Sequence, residues 1–357
     1  EIIRFNYWIP QRFSCVAYTY LPGLNGPKEK LMNTLILIPF LFQLPFYGTI
    51  FLLKTLKYYR WADIFHCNWS VTAIFPILLN KIKFKKKPII ITCRGSDLRR
   101  IPGWLNRFIF RNVSAFTYPS PLFVLSEFNK QFGEDVLDYA KQNCENGAYS
   151  IFDPVDMNYK QKRNNLKNKL GIKNKRIILW VGRLVDPKNP LEVLENIKEL
   201  SKTRNDFILI MVGYGILQTS VEKKIKDLRL EDFVKYVGSS NNVNEYLNIA
   251  DIFVTSTKKT NIWSNTIIEA MAMGKPLILS DVGPTNKVFK HNIDSLLYPL
   301  NNPTKFVSII NQVIDDKEML KKLGENAKEL IYKYRMSEQQ VMNEYEKLYN
   351  TVLLDKK

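Results

Sequence analysis

The chain has 357 residues and a formal net charge of +18 at pH 7, with 46% hydrophobic and 24% charged residues. This length accommodates about two domains, and the composition excludes a largely disordered or collagen-like protein. Four scattered cysteines without a C-x-x-C pair indicate reduced thiols in a cytosolic protein. Two histidines exclude a multi-histidine metal centre.

The excess of basic residues, 52 Lys and Arg against 34 Asp and Glu, favours nucleic acid, an anionic membrane surface or phosphorylated ligands as partners. A solvated basic surface without a partner is the alternative. Charge is the sole support for nucleic acid, because the chain has no helix-turn-helix, RNA-binding strand or zinc pattern. We therefore expect no nucleic-acid partner.

The first fifty residues contain two apolar stretches. The chain begins at Glu1 directly on an apolar run, which is typical of the middle of a domain, so we expect a preceding segment to be missing. Residues 31–53 contain no charge and are long enough for a membrane span. Pro39 and Pro45 would break such a span, which favours a buried or membrane-facing pair of helices.

From residue 62 onward, short strands and helices alternate. Strands are predicted at 63–67 and 88–93 with a helix at 71–82 between them, and the second strand is the continuous apolar run typical of a parallel sheet. The next helix, after Pro102, has a polar-aromatic face formed by Trp104, Arg107 and Arg111. That face is suited to an anionic surface or is simply the solvated side of a packed helix.

The second half repeats a buried strand followed by a short helix. Strands are predicted at 177–181, 207–212, 234–237, 252–255 and 276–280, and helices at 190–200, 221–228, 243–249 and 266–273. This alternation predicts a doubly wound parallel sheet that binds its ligand at the carboxyl ends of the strands. The Asn- and Lys-rich stretch 153–176 predicts a domain boundary, and residues beyond 302 follow a helical pattern.

Three loops follow strands where such a sheet holds its ligand. The first contains Gly182, Arg183 and Lys188. Arginine grips a phosphate through two donors and lysine supplies a point charge, so this pair suits a diphosphate bound without metal. The second loop, 212–215, has the sequence V-G-Y-G, a turn whose glycines are usually only steric.

The third loop opens a helix. Ser264 or Asn265 is expected to cap it, and Gly274 is expected to end it. The helix N terminus would direct free N–H groups at an anion. Glu269, one turn inside, would accept both hydroxyls of a ribose; an ordinary surface glutamate is the alternative.

The three loops, G-R-x(4)-K, V-G-x-G and S-N-T-I-I-E-A-M-A-M-G-K-P, together resemble the family 4 (group 1) glycosyltransferases of the GT-B fold. The resemblance covers most of the chain and implies an α/β architecture of two Rossmann-like, doubly wound parallel-sheet domains facing a cleft. It implies an acceptor-side domain at 1–158, a nucleotide-sugar-binding domain at 159–340 and, at 341–357, a C-terminal helix that is a candidate to pack back on the first domain.

Carried over residue by residue, the resemblance makes Arg183 and Lys188 catalytic, as ligands of the donor diphosphate. The implied donor-binding residues are Gly182, Arg183, Lys188, Asn261, Asn265, Thr266 and Glu269. In this scheme Glu269 binds the ribose, and the backbone at Asn265 and Thr266 holds the phosphate or the sugar. No metal ligand is implied.

Three positions depart from the family pattern. Asn261 stands where the family has the first of two paired glutamates, Arg94 where it has a histidine, and Lys287 aligns with a further glutamate. Asparagine keeps hydrogen-bonding capacity but loses the charge, while Arg94 would suit a sugar bearing a carboxylate or would disable catalysis. Arg94 and Asp97 are the candidates for the sugar or acceptor side.

The resemblance implies a retaining hexosyltransferase (EC 2.4) that moves a sugar from a nucleotide-sugar to a glycan or lipid-linked acceptor in bacterial surface polysaccharide or glycolipid synthesis. It implies no cofactor, and a front-face displacement in which the leaving phosphate takes the acceptor proton. We expect a cytoplasmic enzyme, peripheral on the inner face of the cell membrane, with an anionic membrane surface as candidate partner. The alternative is a catalytically weakened sugar-nucleotide-binding or scaffolding homologue.

Overall fold

The computed structural model describes residues 48–49, 51–68, 70–82, 86–92, 103–117, 165–172, 174–258, 264–283, 285–334 and 338–354. Within these ranges the strands are β1 Phe65–Cys67, β2 Ile89–Thr92, β3 Ala115–Thr117, β4 Arg176–Val181, β5 Phe207–Val212, β6 Val234–Gly238, β7 Ile252–Val254, β8 Leu277–Ser280 and β9 Leu296–Tyr298. The α-helices are α1 Ile74–Ile82, α2 Gly103–Phe110, α3 Pro190–Leu200, α4 Gln218–Asp227, α5 Val243–Ile249, α6 Asn265–Ala272, α7 Thr285–Val288, α8 Pro303–Val313, α9 Lys317–Lys333 and α10 Glu338–Leu354. Residues 51–59 and 165–169 are also helical.

The second half forms one parallel sheet with the strand order β6-β5-β4-β7-β8-β9. Its central strands are apolar and buried on both faces; β5 is buried along its whole length. Two apolar cores, one on each face of the sheet, hold the covering helices. The predicted doubly wound sheet is confirmed. Its strand order reverses between β4 and β7, which opens the ligand crevice at their carboxyl ends.

The first half contains a three-stranded parallel sheet of order β1-β2-β3. The C-terminal helix α10 covers one face of this sheet, where Leu348 and Val352 pack against Ile90 and Ala115. Ile90 and Ala115 are register partners on neighbouring strands, so they point to the same side. Among the described residues, α10 thereby supplies the apolar side chains that cover this face of the first sheet.

Most helix and strand bounds follow the apolar pattern. The helices α3 and α5 have the predicted bounds, Pro190–Leu200 and Val243–Ile249. By contrast, α4 begins at Gln218, three residues before the predicted start. Its first turn is polar, so hydrophobic periodicity gives no signal for it.

The uncharged stretch 31–53 lies almost entirely outside the described residues, apart from its last few, which begin the helix 51–59. Among the helices that the structure does describe, none combines the length and apolarity needed to cross a bilayer.

Candidate functional site

The loop after β4 and the loop after β5 pack backbone against backbone at the carboxyl edge of the sheet. Gly213 has φ 145°, and a Cβ atom there would lie 1.8 Å from the carbonyl oxygen of Gly182. A Cβ atom at Gly215 would lie 2.4 Å from the carbonyl oxygen of Leu184. The Leu184 N–H donates to the carbonyl of Tyr214 at 2.9 Å. The two glycines of the V-G-x-G turn therefore allow the backbones of the two loops to approach this closely.

This packing presents Arg183 and Lys188 at the β4–β7 crevice. Arg183 is exposed, and Lys188 is half-buried at the end of a single 3₁₀ turn. Burial lowers the pKa of Lys188 to about 8, and the neighbouring Arg183 charge lowers it too. The acidic residue of the same loop, Asp186, pairs with Lys258 at 2.5 Å. Within the described part of the chain, neither Arg183 nor Lys188 forms a salt bridge, so two close cations share an uncompensated site.

Hydroxyl groups after β7 hold this cationic loop in place. The Ser256 Oγ donates to the carbonyl of Asn189 at 2.8 Å and accepts from the Trp180 indole N–H at 3.2 Å. The Thr257 Oγ1 donates to the carbonyl of Pro187 at 2.8 Å. Sequence reasoning missed these two hydroxyl residues. Their one signal is the polar run 255–257 at the end of a buried strand.

A buried carboxylate fixes the far end of the same loop. Asn189 adopts a left-handed conformation, φ 52°, and its side-chain amide donates to Glu192. Glu192 also accepts from the N–H of Asn301 at 2.7 Å. The cationic loop is thus fixed at both ends before any ligand arrives, which is the preorganisation that anion binding requires.

The helix α6 is the next helix in the chain after β7. Ser264 is its N-cap residue, but the Ser264 side chain makes no capping hydrogen bond; the carbonyl of Ser264 accepts from the N–H groups of Ile267 and Ile268. The expected N-cap position is therefore confirmed at Ser264, but the helix is capped without a side-chain hydrogen bond. The expected end is confirmed: Gly274 has φ 60°, and Lys275 N–H donates to the carbonyl of Ala270 at 2.9 Å.

Glu269 is half-buried on α6, among the buried apolar residues of that helix. Burial raises the pKa of its carboxyl group. A solvated surface glutamate experiences no such desolvation, so the alternative of an ordinary surface residue loses its support. Keeping a carboxylate partly desolvated costs stability, and such costs are typical of ligand-binding positions.

Lys275, in the same motif, has a structural role. Its buried Nζ donates to the carbonyls of Asn248 at 3.2 Å and Ala250 at 3.0 Å, at the end of α5. A lysine there stabilises the carbonyl end of a helix.

Asn265 and Thr266 form the first turn of α6, the former exposed and the latter half-buried. Lys287 is exposed on α7. The other predicted site residues, Asn261, Arg94 and Asp97, lie outside the described residues.

A polar row that the sequence analysis missed crosses the carboxyl ends of the N-terminal strands. The His66 Nε2 lies 2.8 Å from the Thr92 Oγ1, which lies 2.9 Å from the Thr117 Oγ1. The His66 Nδ1 lies 2.6 Å from the Tyr349 hydroxyl of α10. Burial lowers the pKa of His66 to about 4, so the ring is neutral at pH 7. Thr92 is the last residue of β2, and through His66 it is connected to the C-terminal helix α10.

Comparison with known proteins identifies the family and the fold. Residues 162–330 match the family described as glycosyl transferases group 1. N-acetyl-alpha-D-glucosaminyl L-malate synthase of Bacillus anthracis is 24% identical over 299 residues, which cover 83% of this chain and 76% of that protein. The Escherichia coli UDP-Gal:alpha-D-GlcNAc-diphosphoundecaprenol alpha-1,3-galactosyltransferase is 30% identical over 163 residues, 43% of this chain and 41% of that protein.

Among solved structures, Anabaena HepE in complex with UDP superposes with a TM-score of 0.70 at 16% identity, covering 84% of this chain and 82% of that one. The fold is therefore that of the GT-B glycosyltransferases, with parallel sheets of Rossmann type. Together with the matched loops, this identifies residues 162–330 as a group 1 glycosyltransferase domain, of a retaining family.

Proposed function

We propose that this enzyme transfers a sugar from a UDP-sugar to a glycan or lipid-linked acceptor, with retention, in bacterial surface polysaccharide or glycolipid synthesis. One observation carries the proposal: Arg183 and Lys188 converge at the β4–β7 crevice and form no salt bridge within the described part of the chain. Two close cations without a carboxylate suit a diphosphate. The UDP complex of Anabaena HepE supports the choice of base.

In the proposed reaction, the bond between the sugar C1 and the diphosphate oxygen breaks while the bond from C1 to the acceptor oxygen forms on the same face. The acceptor proton passes to the leaving phosphate oxygen. Arg183, Lys188 and the N–H groups at Asn265 and Thr266 stabilise the charge that develops on that phosphate. Glu269 accepts the ribose hydroxyls.

The proposal includes the division into an acceptor-side domain at 1–158, a donor domain at 159–340 and a C-terminal helix at 341–357. The two separate parallel sheets support the division, and the packing of α10 on the first sheet supports the return of the last segment. We also propose a cytoplasmic location on the inner face of the membrane, because nucleotide-sugars and lipid-linked acceptors meet there.

The first test is calorimetric titration of the full chain with UDP, GDP and ADP, alongside Arg183→Ala and Glu269→Gln. We expect UDP to bind tightest. Loss of one charge-assisted contact, worth about 1.5–3 kcal/mol, weakens UDP about 10- to 100-fold in each variant. Matched controls are Arg107→Ala on α2 and Glu329→Gln on α9, both exposed and on other elements. Unchanged UDP affinity in Arg183→Ala contradicts the site.

Transfer assays then use the donor series of the base that binds. Sugar transfer that depends on Arg183 supports the enzyme. Tight nucleotide binding without transfer, across donors and acceptors, supports instead the weakened homologue suggested by Asn261, Arg94 and Lys287.

A further inference from the structure

We infer that the outer surfaces of α1 and α2 form a docking surface for anionic membrane lipid. We call it the α1–α2 face; its members are three exposed apolar and three exposed basic residues, Leu78, Lys81, Ile82, Trp104, Arg107 and Arg111. The inference rests on the proposed function, because membrane docking would bring the enzyme to a lipid-linked acceptor. Lipid binding itself is measured without any sugar transfer.

The two helices lie on the same side of the N-terminal sheet. Each connects neighbouring parallel strands in the order β1-β2-β3, and right-handed crossovers place both helices on one face. The Lys81 Nζ lies 4.7 Å from the centre of the Phe108 ring, so the last turn of α1 contacts α2. Because α10 covers the opposite face of the sheet, the outer surface of this helix pair points away from the rest of the core.

Large apolar side chains stand exposed on this outer surface. Ile82 and Trp104 are each 72% exposed, and Leu78 is 44% exposed. Leu78 and Ile82 are one helical turn apart and share a face. Tryptophan is typical of the membrane–water interface, where one part of its ring system meets lipid and its N–H meets water.

The neighbouring helix 51–59 also exposes apolar side chains. The Phe51 and Phe75 rings lie 4.9 Å apart, which packs this helix beside α1. Beyond the contact it exposes Leu53 and, just past its end, Trp61. In sequence it continues the uncharged stretch 31–53.

The charge of this region favours an anionic partner. Between residues 48 and 117 the chain has thirteen Lys and Arg but two Asp and no Glu. Arg107 on α2 and Arg111, one residue past the end of that helix, follow Trp104 at helical spacing. Long basic side chains extend along an apolar surface and place their charges at the level of lipid headgroups.

An anionic lipid bilayer accounts for both the basic and the apolar side chains of the α1–α2 face. Its headgroups take the arginines, and the boundary of its acyl chains takes Ile82 and Trp104. A nucleic acid would use the charge but gain nothing from exposed Leu78 and Ile82.

The test is flotation of the full chain with vesicles of phosphatidylcholine alone and of phosphatidylcholine mixed with phosphatidylglycerol. We expect binding to the mixed vesicles that weakens with salt. Arg107→Gln with Arg111→Gln should weaken it roughly 30-fold, at about 1 kcal/mol per charge. Lys317→Gln with Lys321→Gln on α9 removes the same charge at the same spacing, and it should leave binding unchanged. Trp104→Ser should weaken binding, whereas the exposed control Tyr332→Ser should not.

UDP titration of the same proteins separates this inference from the proposed function. We expect the α1–α2 face variants to bind UDP normally, and Arg183→Ala to lose UDP but float with vesicles as before. Equal loss in the α2 and α9 pairs would mean that net charge alone drives binding, which overturns the inference. No flotation by a protein that binds UDP overturns it too, while flotation without UDP binding overturns the proposed function alone.

Discussion

The two parallel sheets of this protein differ in how firmly the loops and helices around them are held and covered. At the C-terminal sheet, the loops at the carboxyl edge are tied to one another by backbone contacts and by Ser256 and Thr257. At the N-terminal sheet, the covering helices α1 and α2 leave Ile82 and Trp104 in solvent. Every salt bridge found between described residues belongs to the C-terminal half, as Lys258 with Asp186 illustrates.

The difference is the one that the two proposals require. A small charged ligand requires groups fixed in advance, because ordering them on binding would consume affinity. A membrane requires only that apolar and basic side chains remain uncovered. Two consequences can be tested: the loops of the C-terminal half should be held rigidly, and changes in one half should leave the other half unaffected.

The largest effect is expected where the loop after β4 touches the loop after β5. Gly213→Ala places a Cβ atom 1.8 Å from the Gly182 carbonyl oxygen, at φ 145°, and should lower the free energy of unfolding by about 3 kcal/mol or more. Gly238→Ala is the control, because Gly238 has φ 76° but nothing within 4 Å of a Cβ. It should cost about 1–2 kcal/mol. Equal losses in urea unfolding would show that the close approach of the loops is unimportant.

The next effect belongs to the N-terminal half. Burial lowers the pKa of His66 to about 4 from 6.5, so the folded protein favours the neutral ring. The preference for the neutral His66 ring therefore contributes fully to the free energy of unfolding above pH 6.5. This contribution is lost as the pH falls towards 4, and the loss is about 2 kcal/mol at pH 5. The groups of α10 that face the ring are Tyr345 and Tyr349. Urea unfolding at pH 7 and pH 5 measures the loss, and in His66→Gln the loss should be smaller by that amount.

A comparable effect is expected from the Ser256 hydroxyl that joins the end of β7 to the cationic loop. Ser256→Ala leaves the buried Trp180 indole N–H without its acceptor, which should cost about 1–3 kcal/mol. The exposed Ser220→Ala should change stability by less than about 0.5 kcal/mol. If both variants unfold at the same urea concentration, the cationic loop is not anchored by Ser256.

The smallest effect concerns pH and the nucleotide. Since the pKa of Lys188 is about 8 in the free protein, its charge disappears as the pH rises past that value. UDP affinity should then fall about tenfold, or about 1.4 kcal/mol, between pH 7 and pH 9. Lys188→Arg should remove most of that dependence, because arginine stays protonated. A wild-type affinity that is flat over this range would place Lys188 outside the diphosphate site.

Much of the C-terminal half was predictable because its signals are local. The apolar strands and the turn glycines lie within a few residues of the positions they determine, so the sheet and the placement of Arg183 and Lys188 at a strand end followed from pattern. The polar first turn of α4 and the missing side-chain cap at Ser264 were not predictable in this way. Periodicity detects apolar faces, and a preferred capping residue does not ensure that its side chain forms the hydrogen bond.

The sequence by itself determined the alternation of strands and helices, the basic balance and the order of the three loops. Only the tertiary structure decided which side chains hold the loops and strands of the site in position. Ser256 meets Trp180 across 76 residues, and Tyr349 meets His66 across 283. Such partners are set by strand order and by the return of α10, and no local pattern encodes them. The same holds for Glu269, whose raised pKa comes from the core that packs around it.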